Sequence, residues 1–124
     1  MEFLDDFLEK NNIGFHESSK QKFEHAVIIY FDYGFDEMDK IYSLGEKLDK
    51  IIVENNLGEY DGHETAIDNS HGSLYMYGFN AELLFKGIKS TLEKTDFMNG
   101  AKAHLIFGLY DENVKDLILN ITAK

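Results

Sequence analysis

Residues 58–80, GEYDGHETAIDNSHGSLYMYGFN, decide how this chain is read. Two runs within them, 59–67 and 72–79, flank Asp68-Asn69-Ser70-His71, whose composition is that of a tight turn, so the stretch predicts a β-hairpin. Asn80 follows directly and is a favoured residue at helix starts. Leu84, Phe85, Ile88 and Leu92 then recur at helical spacing, which predicts a helix ending before Asn99-Gly100.

Upstream, residues 23–33 (FEHAVIIYFDY) are dense in β-branched and aromatic residues, and their near-continuous hydrophobicity predicts a central strand. Asp36 then opens a long helix to about Asn56, with Ile41, Leu44, Leu48, Ile51 and Ile52 in one stripe and Gly58 as a left-handed cap beyond its end. Downstream, 102–109 reads as a further strand, Asp111-Glu112-Asn113 as a turn and 114–121 as an edge strand. At the start, Phe3, Leu4, Phe7 and Leu8 predict a short helix over 3–11, followed by a polar loop over 14–21. The order is β-α-β-β-α-β plus a strand, the split β-α-β or ferredoxin-like plan of the α+β class. It places two helices on one face of an antiparallel sheet and leaves the other face free. One domain spans 1–124, with a helix and loop over 1–22 and a ferredoxin-like core over 23–121.

The 44% hydrophobic content suffices for a core, since a chain of this length buries roughly two thirds of the surface its unfolded form exposes. There is no cysteine, which excludes disulfides, thiolate metal sites and thiol catalysis. Met1 is followed by Glu2, Asp5 and Asp6 instead of a basic and then apolar start, so a cytoplasmic setting is expected. The longest apolar stretch, 26–31, is strand-sized, and no membrane role is expected.

Net charge is −11, and all 12 basic residues are lysine. Residues 1–62 hold 15 acids against 6 lysines, and 63–124 hold 8 against 6. Arginine is the usual bidentate phosphate ligand, and its absence in a negative field argues against nucleic-acid binding. The same field attracts basic proteins.

Pairing the hairpin about a two-residue turn at Asn69-Ser70 sets Glu64 opposite Tyr75, Gly62 opposite Tyr77 and Tyr60 opposite Phe79. His63, Thr65, Ile67, Leu74 and Met76 then face the helices, while Tyr60, Tyr75, Tyr77 and Phe79 lie on the free face beside Tyr30. Exposed aromatic clusters mark interfaces. The face is therefore expected to take a protein partner or a second copy of the chain. Asp61 and His63, two apart on a strand, share a face and raise the question of a dyad or metal site; a single short cluster of this kind assigns neither, and Gly62 between them suggests a β-bulge. No catalytic residue, metal or cofactor is assigned, and the chain is not expected to be an enzyme. The expected partner-binding residues are Asp36, Asp39, Tyr60, Asp61, His63, Glu64, Tyr75 and Tyr77.

The segments YFDYG (30–34), GEYDGHETAID (58–68), LYMYG (74–78) and NGAKAHLIFG (99–108) resemble those of small uncharacterised bacterial ferredoxin-like proteins. The resemblance covers about two thirds of the chain and excludes its first 22 residues. It implies the same fold in a bacterial cytoplasm and carries no active site to transfer. Those proteins have proline where Asn80 stands, which touches only the helix cap. In size, acidity and lack of arginine the chain is also similar in type to the immunity proteins of contact-dependent growth inhibition, which implies a basic toxin domain, such as a nuclease, as partner. The alternative expectation is a homodimeric regulatory or housekeeping domain associating through its open sheet face.

Overall fold

The computed structural model describes residues 23–108 and 115–123. Its elements are β1 (His25–Asp32), α1 (Asp39–Glu54), β2 (Glu59–Thr65), β3 (His71–Gly78), α2 (Ala81–Glu93), a 3-10 turn (Asp96–Met98), β4 (Lys102–Phe107) and β5 (Lys115–Asn120). The five strands form one open antiparallel sheet in the order β2-β3-β1-β4-β5. This α+β arrangement is consistent with a ferredoxin-like plan. The helix expected over 3–11, the loop over 14–21 and the turn at 111–113 lie outside the described residues. Among the described residues, no helix is long and apolar enough to cross a membrane.

Alternation along the strands builds the core. Val27, Ile29 and Phe31 of β1, Leu74 and Met76 of β3, and Ala103 and Leu105 of β4 share one face. The stripe Ile41, Leu44, Leu48 and Ile52 of α1 and the stripe Leu84, Phe85, Ile88 and Leu92 of α2 pack on it. Each buried Leu or Ile contributes about 1.5–3 kcal/mol. On β1 the opposite-face residues Ala26 and Ile28 are buried as well, which is why that strand reads as nearly continuous hydrophobicity.

Helix starts follow local hydrogen bonding. Asn80 caps α2, its Oδ1 accepting from the Leu83 amide at 3.1 Å. The Ala81 amide donates to Nδ1 of His25 at 2.9 Å, so the first residue of β1 also satisfies this helix end. α1 begins at Asp39 rather than at Asp36, and the hairpin turn is the cause. Tyr33 and Gly34 donate their amides to the carbonyls of Ser70 and Asn69, and the Asn69 side-chain amide donates to the Phe35 carbonyl at 3.0 Å. Residues 33–35 are thereby tied to the turn and cannot wind into the helix, and Asp36 lies exposed ahead of it.

Two expectations about the hairpin are corrected. The Ala66 amide bonds to the His71 carbonyl, so the loop is the four residues 67–70, with Asn69 at φ +60° and the Ser70 amide held by Oδ1 of Asp68. Glu64 therefore pairs with Ser73 and Gly62 with Tyr75, while Ile67, expected to face the helices, is fully exposed in the loop. The second correction concerns Gly58. The left-handed residue after α1 is Asn56 (φ 55°), and Gly58 (φ 145°) serves a close approach to β3. A Cβ there would lie 2.0 Å from the Tyr77 carbonyl oxygen.

Replacing Gly58 with alanine is expected to cost roughly 2–4 kcal/mol, strain and overlap combined. Gly62→Ala meets no atom within 4 Å and should cost less. Urea unfolding of the two variants beside the parent checks the order.

Candidate functional site: an acidic groove between α1 and β2

The β-bulge suggested by Gly62 is present: the register of β2 against β3 shifts between Tyr60 and Gly62. The extra residue reverses the alternation, so Tyr60 pairs with Met76 and faces α1, contrary to its expected place on the free face. His63 faces the helices as expected, opposite Leu74. Its ring meets that of Tyr42 on α1 edge to face, with centroids 5.3 Å apart.

Gly45 makes room for the displaced tyrosine. A Cβ at that position would stand 2.8 Å from the Tyr60 hydroxyl and 3.2 Å from its ring. Glycine inside a helix costs about 1 kcal/mol relative to alanine, and here it admits a large ring beneath α1. The enclosed hydroxyl of Tyr60 makes no hydrogen bond. Burial, and then the charges of Asp49 and Asp61, push its pKa up to about 12.

Tyr60 and His63 of β2, with Tyr42, Glu46 and Asp49 of α1, line a groove of about 210 Å3. Tyr42, Glu46 and Asp49 share a helix flank through i, i+4, i+7 spacing, whereas Lys40 and Lys47 lie around the other side. Glu46 and Asp49 are exposed and take part in none of the ion pairs among the described residues, which join Lys86 to Glu82, Lys89 to Glu93 and His104 to Asp116. Unneutralised carboxylates beside aromatic rings form a site suited to an ammonium or guanidinium group.

The eight expected partner-binding residues thus separate into three places. Tyr60, Asp61 and His63 sit at or beside the groove. Glu64 and Tyr75 meet on the far side of the sheet, the Tyr75 hydroxyl donating to Oε1 of Glu64 at 2.9 Å. Asp36 and Asp39 flank the beginning of α1. Tyr77 does lie on the far face, but it is only 3% exposed, packed with Phe23 and Ala26. The aromatic platform expected there is therefore interrupted at its middle. Tyr30 and Phe79 are the aromatic residues it leaves exposed.

Three groove residues, Tyr42, Glu46 and Asp49, were not among those expected from the sequence. Their common flank could have been read from the helical period. Among the described residues no three His, Asp or Glu side chains gather where they could hold a metal ion. No protein-family model, curated protein or solved structure matches the chain.

Tyr60→Phe removes an unpaired buried hydroxyl and is expected to leave stability unchanged or raise it by about 1 kcal/mol. Tyr75 is also raised to about 12, by burial and by its hydrogen bond to Glu64. The folded chain holds both phenolic protons more tightly than the unfolded chain. Their contribution is intact below about pH 10, the ordinary tyrosine value, and is lost as pH rises toward 12. Chemical denaturation between pH 9 and 12 should show a decline that each Tyr→Phe change makes shallower.

Proposed function

We propose that the chain is a protein-binding module of ferredoxin-like topology that neutralises a basic bacterial toxin, a nuclease, by covering its cationic active site in the cytoplasm. The observation that carries this reading is the groove between α1 and β2. It presents Glu46 and Asp49 without cationic partners, next to Asp61 and the rings of Tyr42 and His63. The net charge of −11 extends the same negative potential over the molecule and speeds encounter with a cationic surface. A nuclease cleft built to hold phosphates offers the lysines and arginines that such a groove accepts. The resemblance to bacterial ferredoxin-like proteins and the likeness in type to immunity proteins agree with this reading. The role is that of a binder and not of a catalyst. Asp61 and His63 are kept from the expected interface, and Tyr77 is not, because it is buried.

A second reading has support from the exposure of Tyr30, Phe79 and Ile118, the first and last of which lie on the sheet face away from the helices. There the chain would be a homodimer joined through that face. A tight dimer in sedimentation, broken by Tyr75→Asp, would favour it.

The test is inhibition of a basic nuclease encoded beside this chain's gene. An equimolar amount is expected to abolish cleavage. The association rate should fall by about tenfold or more as salt rises from low to physiological strength. The charge reversals Glu46→Lys and Asp49→Lys should slow association further. Undiminished cleavage in the presence of excess protein would remove the proposal.

A further inference from the structure

The opposite flank of α1 lines a second, open cavity, of about 490 Å3, bordered by the segment joining α2 to the 3-10 turn. Lys40 and Lys47 of α1 and Lys94 after α2 converge on it, with Ser43, Thr95 and Phe97. Asp39 and Asp96 are also in its wall.

Among the described lysines, Lys86 and Lys89 are each bound to a glutamate four residues away. Lys40 instead stands over the Phe35 ring, 4.9 Å from its centroid. Lys47 and Lys94 enter none of the ion pairs among the described residues, even with two aspartates in the same wall. Three ammonium groups against the two aspartates leave this concave surface slightly positive in formal charge, in a molecule whose net charge is −11. Phe97 is held by edge-on and tilted contacts with Phe31, Tyr33 and Phe35 and supplies a firm apolar wall. The Thr95 hydroxyl donates its proton to the Thr91 carbonyl at 2.8 Å, so any hydroxyl donor to an anion in this cavity would be Ser43. The volume lies within the range of about 300–1,000 Å3 that small-molecule sites occupy.

We propose that this cavity binds a small molecule carrying two or more anionic oxygens, with Lys40, Lys47 and Lys94 on the anion and Phe97 against its uncharged part. Phosphate esters and polycarboxylates share that chemistry. Asp39 and Asp96, in the same wall, oppose an extended polyanion such as nucleic acid. The site does not depend on the toxin-binding reading, since it uses the other flank of the helix.

Inorganic pyrophosphate and citrate, titrated separately into the full chain at low salt, provide the test by amide NMR. At least one is expected to give saturable shifts centred on Ser43, Lys47, Thr95 and Phe97. A preference for pyrophosphate marks a phosphate site, and a preference for citrate marks a carboxylate site. The double change Lys47→Gln with Lys94→Gln should weaken binding by about tenfold or more, the worth of one charge-assisted hydrogen bond. Lys86→Gln with Lys89→Gln, on a neighbouring surface, should leave it unchanged. Absence of saturation with both anions would overturn the proposal. So would equal weakening by the two double variants, which would mean diffuse attraction only.

Discussion

Between Tyr60 and Gly62, β2 holds one residue more than β3 needs opposite it, and the packing of α1 depends on that extra residue. In a regular strand Tyr60, Gly62 and Glu64 would share one face. The bulge moves Tyr60 to the helix side, while Glu64 stays with Tyr75 on the other. Gly62 at φ +118° takes the backbone conformation this requires without a Cβ penalty. The ring then needs space under α1, and Gly45 supplies it. Two glycines on two elements therefore accommodate one aromatic side chain. A side chain at Gly45 would have to move Tyr60, and with it the wall of the groove, whereas one at Gly62 would meet backbone strain alone.

Charge is distributed along the two helices in different ways. α2 follows the ordinary pattern, with glutamates and lysines four residues apart neutralising each other locally. α1 carries Glu46 and Lys50 at the same spacing, yet they form no ion pair; Glu46 and Asp49 line one groove, while Lys40 and Lys47 line the other together with Asp39. Surface pairs contribute little to stability, so leaving them unmade costs the fold little. One 16-residue helix thus presents two carboxylates to one groove and two lysines with one aspartate to the other. A structural role alone does not require that.

Much of the architecture was legible because it depends on local chemistry. The apolar run of β1, the stripes of both helices and Asn80 at the start of α2 are each explained by residues within a few positions. What escaped was set by longer-range geometry. The hairpin loop has four residues instead of two because Ala66 closes it against His71, and nothing in Asp68-Asn69-Ser70-His71 alone distinguishes those lengths. The start of α1 is fixed by Asn69, which lies 34 residues away from the carbonyl it holds. The bulge at Gly62 was readable, yet its effect on Tyr60 was not, since a change of phase matters only once the register is known. The groove then followed from combining a strand irregularity with a helix glycine, neither of which signals a site by itself.

Tyr60 also reports the electrostatic character of the place it occupies. A phenol resists ionisation when its anion is unfavourable, and here that arises from burial first and then from Asp49 and Asp61. Burial opposes any charge, but the two carboxylates oppose only a negative one. The same carboxylates lower the energy of a positive charge brought to the groove mouth, where Asp49, Asp61 and Glu46 remain exposed to solvent. A cationic side chain docked there would keep part of its hydration while meeting Glu46 and Asp49 beside the rings of Tyr42 and His63. The desolvation that makes fully buried ion pairs unprofitable is thereby reduced. The groove is for this reason a better place for a cation than the far face of the sheet, where Tyr77 is already packed and Glu64 already accepts a hydrogen bond from Tyr75.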